Sequence, residues 1–294
     1  MGRFKLALCA GAALCVVLPA GVLAADYPRP PPYVPPPVEI GHNWYLKGYI
    51  GMANQHFSGL SHPGFDDPAF APVYFEWLDP GNFDAVPLFG VGIGWRHSDH
   101  VRFDLTGEYR GKSSFTALDR YDTLGDTDLP LFDGTPGPDW GTNQYTGKKS
   151  EFLFLANAYY DIADWHGFTP YVGGGIGASY NSIHDFVDNN VLAGGQASAG
   201  EGHQLSLAWA LHAGASMQVT NNLTLDFGYS FISLGDAKTG LLENVDPGLA
   251  CTATGGTCYP VTFRDLISHD FKLSARWSFD KPAAPYYGPA VVKY

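Results

Sequence analysis

In the ten residues VRFDLTGEYR, positions 101–110, apolar and polar side chains alternate without an error. Val101, Phe103, Leu105, Gly107 and Tyr109 share one parity, and Arg102, Asp104, Thr106, Glu108 and Arg110 share the other. Successive side chains of a strand point to opposite faces, so the stretch predicts a ribbon with one apolar and one ionic side. Its length suits a tilted transmembrane β-strand, which needs about 9 to 11 residues.

Seven further ribbons repeat the pattern, at residues 44–55, 83–96, 149–161, 169–180, 205–219, 223–231 and 266–279. Long polar connections at 54–82, 111–148, 181–203 and 232–265 alternate with short turns at 97–100, 162–168 and 220–222. Pro87 cannot donate to a ladder, which predicts a bulge or a late strand start there. Both ends of the ribbon set fall on the short-turn side. The expected fold is all-β, an eight-stranded antiparallel up-and-down transmembrane barrel with four long extracellular loops, because such barrels have short periplasmic turns and long outer loops.

The flanks read differently. Arg3 and Lys5 precede an apolar run at 6–18, and a small-residue context at 22–25 completes an export leader, residues 1–25, that is too short to span a bilayer. Residues 26–40, with the run DYPRPPPYVPPPV, predict a stiff polyproline-like spacer, and 280–294 form a Pro-rich tail after a barrel at 41–279. Of 17 Lys and Arg, two lie in the leader, leaving 15 against 29 Asp and Glu, a balance that disfavours nucleic-acid binding. Outside the leader only Cys251 and Cys258 remain, and an oxidising compartment makes a local disulfide their expected state.

Alternation alone does not say which face is outside, since a soluble lipocalin-like barrel has the same period. Three features select lipid for the apolar face. It carries no Asp, Glu, Lys or Arg on any ribbon, with His269 its one ionisable outlier. Trp44, Trp95, Tyr160, Trp277 and Phe279 gather at the short-turn ends, where an aromatic girdle belongs. The polar faces are rich in Gly, Ser and Ala and balance their charges: Lys47, Arg96, Arg102, Arg110, Lys272 and Arg276 against Asp84, Asp104, Glu108, Glu151, Asp226 and Asp270. An enclosed lumen demands that balance, because an unpaired buried charge is costly.

The segments NWYLKGYIG at 43–51, TPYVGGGIGASY at 169–180 and KLSARWSF at 272–279 resemble the small eight-stranded outer-membrane proteins of Gram-negative bacteria, the OmpA-like and opacity-type, porin-like superfamily. The resemblance covers about residues 40–279 and rests on patterns rather than on a catalytic signature. It implies an outer-membrane location and roles ranging over envelope integrity, adhesion, surface antigenicity and haem binding. One departure is that such barrels usually end on an aromatic residue, whereas residues 280–294 follow Phe279 here. That tail is too short for a peptidoglycan-binding domain.

The expected function is structural or surface-interacting, through the loops, in a monomer surrounded by outer-membrane lipid and lipopolysaccharide and without a cofactor. An eight-stranded lumen is just wide enough for side chains to fill it, so a plugged barrel is expected, with a narrow porin-like channel as the alternative. A third reading is haem or metal capture by loop residues: His56, His62 and His203, or the hard oxygens of Asp122, Asp126 and Asp128, whose spacing does not match an EF-hand. For catalysis, His212 with Ser206 or Ser216 and Asp226 share the polar face, but neither GxSxG nor HExxH occurs, and the chain is not read as an enzyme.

Overall fold

The computed structural model describes residues 43–62, 74–122, 140–191, 195–244 and 258–279. The leader, spacer and tail predicted from sequence, together with Asp126, Asp128 and Cys251, lie outside the described residues.

Twelve strands are described: β1 Trp44–His56, β2 Gly59–Ser61, β3 Tyr74–Phe83, β4 Val86–Arg96, β5 Val101–Asp122, β6 Trp140–Gly141, β7 Asn143–Asp161, β8 Phe168–Asn190, β9 Gln196–Ala199, β10 Gly202–Gln218, β11 Leu223–Asn244 and β12 Pro260–Ser278. Eight of them, β1, β4, β5, β7, β8, β10, β11 and β12, pair antiparallel with their neighbours in that order. The last returns to the first, from Tyr45 opposite Ser278 to His56 opposite Ile267, so the ring is closed. All eight predicted ribbons are ring strands. β4 begins at Val86, immediately before Pro87, and Pro87 points outward and exposed.

The four stretches read as long polar connections are in part a continuation of the barrel. β5 runs on to Asp122, β8 to Asn190 and β11 to Asn244, and the short strands β2, β3, β6 and β9 pair onto these extensions and onto β12. The physical reason is an inversion of the two faces. In β5 the inward set is Arg102 to Arg110 at even positions; beyond a register shift between Arg110 and Ser113 it becomes Ser113, Phe115, Ala117 and Asp119 at odd ones. A bulge inserts one residue and so exchanges the faces. The same exchange follows Asp185 in β8, Gly235 in β11 and Asp265 in β12, each at positive φ, the conformation such a bulge uses. Beyond the shifts the inside is apolar and outward positions such as Lys112 and Ser114 are polar, the ordinary arrangement in water.

Below the shifts the outside is a continuous apolar belt. Leu46, Ile50, Val91, Leu105, Phe154, Ile176, Leu207 and Phe271 are all exposed. Trp44, Trp95, Tyr160, Trp277 and Phe279 stand exposed at its short-turn edge, and Tyr109, Tyr180 and Tyr229 stand along the opposite edge. Inside, Gly90 and Gly94 are required by packing: a β-carbon on either would lie 2.1 Å from the ring of Tyr49 or Tyr45, which cross from β1.

A belt solvated by lipid and an extension solvated by water respond differently to charge. Leu105→Arg should lower the free energy of folding into bilayers by about 2–4 kcal/mol, the cost of Arg near a bilayer midplane. Ser114→Arg, on the same strand beyond the shift, should change it by less than about 0.5 kcal/mol, as ordinary surface substitutions do. Urea titration of vesicle-inserted protein, followed by tryptophan emission, reads both. Equal responses would mean that the belt does not face lipid.

Candidate functional site

Below the face inversion, the period of two that sends apolar residues outward sends the charges inward, where water is scarce and each ion needs a partner. Near the face inversion Arg110, fully buried, meets three carboxylates: Glu108 at 2.7 Å, Glu151 at 3.1 Å and Asp270 at 2.7 Å. Lys272 joins Glu108 at 2.6 Å and Asp270 at 3.3 Å, and Lys149 is paired with Glu151. Gln55 donates to Glu151 and accepts from Lys149, while Ser268 donates to Asp270.

A second layer lies nearer the short turns. Arg276 reaches both oxygens of Asp226 at 2.8 Å, and Ser216 donates to Asp226 at 2.6 Å. Lys47 lies 3.4 Å from Asp104, which also accepts from Asn157 at 2.7 Å. Arg102 bonds Asp161 at 3.1 Å, and its guanidinium lies over the rings of Tyr159 and Tyr171 at 4.2 and 4.7 Å. Between the layers His212 bridges Ser230 and Asn157 beside a void of only about 30 Å³, room for about one water.

The two layers hold six cations and six anions, all paired. Two residues of the sequence-derived set lie elsewhere. Asp84 sits between β3 and β4, exposed, because β4 starts only at Val86. Arg96 ends β4 at the short-turn mouth, beside a hollow of about 170 Å³ that also touches Asp161 and Arg276. Lys149 and Asp161 are the missed members. Both share the parity of Glu151 on β7, which was the signal available for finding them. His212 does not meet Ser206 or Ser216, so the catalytic grouping considered for the lumen is not assembled.

Above the ions the lumen is shut by aromatic packing. Phe83, Phe115, Phe186, Phe263 and Tyr145 are buried together with Ile183, Ile232, Leu234 and Val261. Phe57 covers them, its ring edge-to-face with Phe83, Phe115 and Phe263 at 5.3–5.7 Å. At the rim, Asp119 accepts from the Tyr145 hydroxyl at 2.5 Å and from the Asn143 amide at 2.9 Å. Burial, and then the nearby Asp119, push the Asp188 carboxyl up to about 7, and burial also raises Asp119.

The candidate loop ligands are dispersed. His56 bonds Asn82, His62 packs edge-to-face on Tyr259, and His203 bonds Ser182 on the barrel exterior. Among the described residues no group of three or more His, Cys, Asp or Glu is arranged to hold a metal ion. Of the proposed disulfide only Cys258 lies within the described residues.

A closed antiparallel ring of eight strands, ionic within and apolar without, defines a transmembrane β-barrel of the small outer-membrane class. No family model matches the chain. Among curated proteins, a Brucella melitensis protein is 29% identical over 214 residues, covering 69% of this chain and 72% of its own length. The outer membrane protein PagN of Salmonella typhimurium is 28% identical over 202 residues, 65% of this chain and 72% of PagN. A candidate adhesin of Rickettsia prowazekii is 27% identical over 194 residues, 66% and 74% respectively. Among solved structures, Neisserial surface protein A shares 16% identity over 82% of this chain and all of its own, with a TM-score of 0.40.

Removing one partner of a buried ion cluster strands the others. Arg110→Ala should cost about 3–5 kcal/mol of folding free energy, whereas Arg96→Ala at the mouth should cost under about 1 kcal/mol; urea midpoints of the vesicle-inserted proteins check both. At the rim, a carboxyl pKa raised in the folded state binds more protons there than when unfolded, so stability is greatest at low pH and is lost as pH rises through about 7. Amide exchange at the outer ends of β7 and β8 should therefore gain an opening component between about pH 4 and 7 beyond the intrinsic rate, and Asp188→Asn should remove it. A pH-independent opening free energy in the unaltered protein would refute the assignment.

Proposed function

We propose that the protein is a monomeric resident of the bacterial outer membrane that binds extracellular ligands through its outer rim and loops. The observation that carries this reading is the interior. Among the described residues, two layers of paired ions topped by aromatic packing leave a void of about 30 Å³ in mid-lumen, which speaks against the narrow channel. Binding is then left to the water-facing extension and the connections it supports. Similarity to the outer membrane protein PagN supports the location, and similarity to a rickettsial candidate adhesin supports the binding role. The surroundings in this reading are outer-membrane lipid and lipopolysaccharide, and the excess of acidic over basic residues argues against nucleic acid as a ligand.

Display on a non-adherent Gram-negative host tests the reading. Attachment to epithelial monolayers should rise several-fold over the empty host and fall back when residues 124–138 are replaced by a Gly-Ser linker. Detergent-refolded protein in a planar bilayer should be electrically silent, and Arg102→Ala with Arg110→Ala should introduce small steps. Attachment equal to the empty host, together with reproducible steps from the unaltered protein, would transfer the function to the lumen.

A further inference from the structure

On the exterior, at the edge of the apolar belt, three adjacent strands change from apolar to polar at one level. Phe152 of β7, Tyr180 of β8 and Leu205 of β10 are direct cross-strand neighbours, exposed and outward. One pleat further out, about 7 Å along the strands, their places are taken by Ser150, Ser182 and His203, also paired across the ladder. In a barrel seated with its apolar belt in hydrocarbon, such a row would stand level with the acyl-ester carbonyls of the lipid, between hydrocarbon and water.

That row contains a hydrogen-bonded relay. Ser150 Oγ lies 2.9 Å from Nε2 of His184, and Nδ1 of the same ring lies 2.9 Å from Oε1 of Glu201. A carboxylate only accepts, so Glu201 holds the proton of the neutral ring on Nδ1 and leaves the Nε2 lone pair facing the Ser150 hydroxyl. Nucleophile, base and orienting acid therefore stand in the order that acyl transfer uses, a constellation recognised by geometry and not by chain order. The second histidine does not duplicate it: His203 bonds Ser182 at 3.0 Å but is 3.8 Å from Glu201. Below Ser150 the outward rows continue apolar through Phe152 and Phe154 of β7 and through Tyr180, Ala178 and Ile176 of β8, and from Phe154 and Ala178 a shallow apolar depression of about 780 Å³ crosses β5 and β4 to Leu46 of β1. The hydrocarbon chain of a lipid whose ester lay at the serine would rest on these apolar rows.

We propose that Ser150, His184 and Glu201 form a lipid acyl-ester hydrolase site on the outside of the barrel, the acyl chain of the substrate lying on the apolar outward rows of β7 and β8 below the serine. In the first step Ser150 Oγ attacks the ester carbonyl carbon while His184 Nε2 takes the hydroxyl proton. The ester C–O bond then breaks, and His184 returns the proton to the leaving alcohol oxygen, giving an acyl-serine. Water, deprotonated by His184, attacks the acyl carbon; the Ser150 Oγ–acyl bond breaks, the serine recovers its proton, and a fatty acid leaves. Glu201 stays ionised throughout and stabilises the transient imidazolium.

The test uses the full-length refolded protein, checked for folding by its faster migration on unheated denaturing gels. A fluorophosphonate should label Ser150, located by peptide mass spectrometry, and fatty acid should be released from vesicles. Phosphatidylethanolamine vesicles and vesicles containing an acylated glucosamine lipid are run in parallel, and release from one, the other or both identifies the source of the ester. Ser150→Ala and His184→Ala should each lower the rate on the order of a hundredfold to ten-thousandfold, while Ser182→Ala should leave it within about twofold. Folded protein that neither takes the label nor releases fatty acid from either vesicle overturns the proposal. Release that persists undiminished in Ser150→Ala, or labelling that falls on Ser182, overturns it equally.

Discussion

In lipid a backbone N–H or C=O has nothing to bond to except another strand, so a sheet can cross a bilayer only if it has no edge. The seam between β1 and β12, twelve residue pairs from Tyr45 and Ser278 to His56 and Ile267, meets that requirement. Everything inside the barrel follows from it. Once the ring is closed, one face of every strand points into a lumen eight strands wide, and what stands there must fill the space and neutralise itself. Arg110 among Glu108, Glu151 and Asp270, and Arg276 on Asp226, meet the electrostatic half of that demand. Tyr45 and Tyr49, laid over Gly94 and Gly90, meet the steric half.

The same strands then leave the bilayer, and the solvent on their outer face changes from hydrocarbon to water. A strand of fixed parity would carry its greasy side into water. The shift after Arg110 and those at Asp185, Gly235 and Asp265 exchange the faces near that boundary, so the ring continues as a water-soluble barrel with Phe83, Phe115, Phe186 and Phe263 at its centre. The aromatic core closes the lumen from above and stiffens the platform from which the outer connections spring. The partly buried carboxyls of Asp119 and Asp188 lie at the top of that platform.

A plugged interior and a stiff rim leave the outward surfaces as the parts of the molecule that meet other molecules. Above the inversion these are polar and suited to soluble or cell-surface ligands. At the inversion, Ser150 stands one pleat above Phe152 on the outer face, bonded to His184, whose ring meets Glu201. Both surfaces depend on the fixed register of β7 against β8, across which Tyr145, Ile183 and Phe186 pack in the aromatic core.

The eight ribbons, their order, their short-turn side and their lipid-facing parity were legible in the sequence, because a period of two is local and the solvent on each face constrains every second residue. Most of the lumen charges were legible for the same reason. Asp84 lies outside the ring because parity does not say where a strand begins, Arg96 keeps its inward parity but stands at the mouth beyond both ion layers, and Lys149 shares the parity of Glu151. The face inversion was hidden: an inserted residue at Asp185 or Asp265 breaks the alternation and turns apolar-in, polar-out strands into what reads as polar loop. Which cation meets which carboxylate, the aromatic cap, and the meeting of Ser150, His184 and Glu201 were decided only by the tertiary structure. They join residues distant in the chain, His184 and Glu201 17 positions apart, Arg110 and Asp270 160, and Glu108 and Lys272 164, through cross-strand register that no local pattern records.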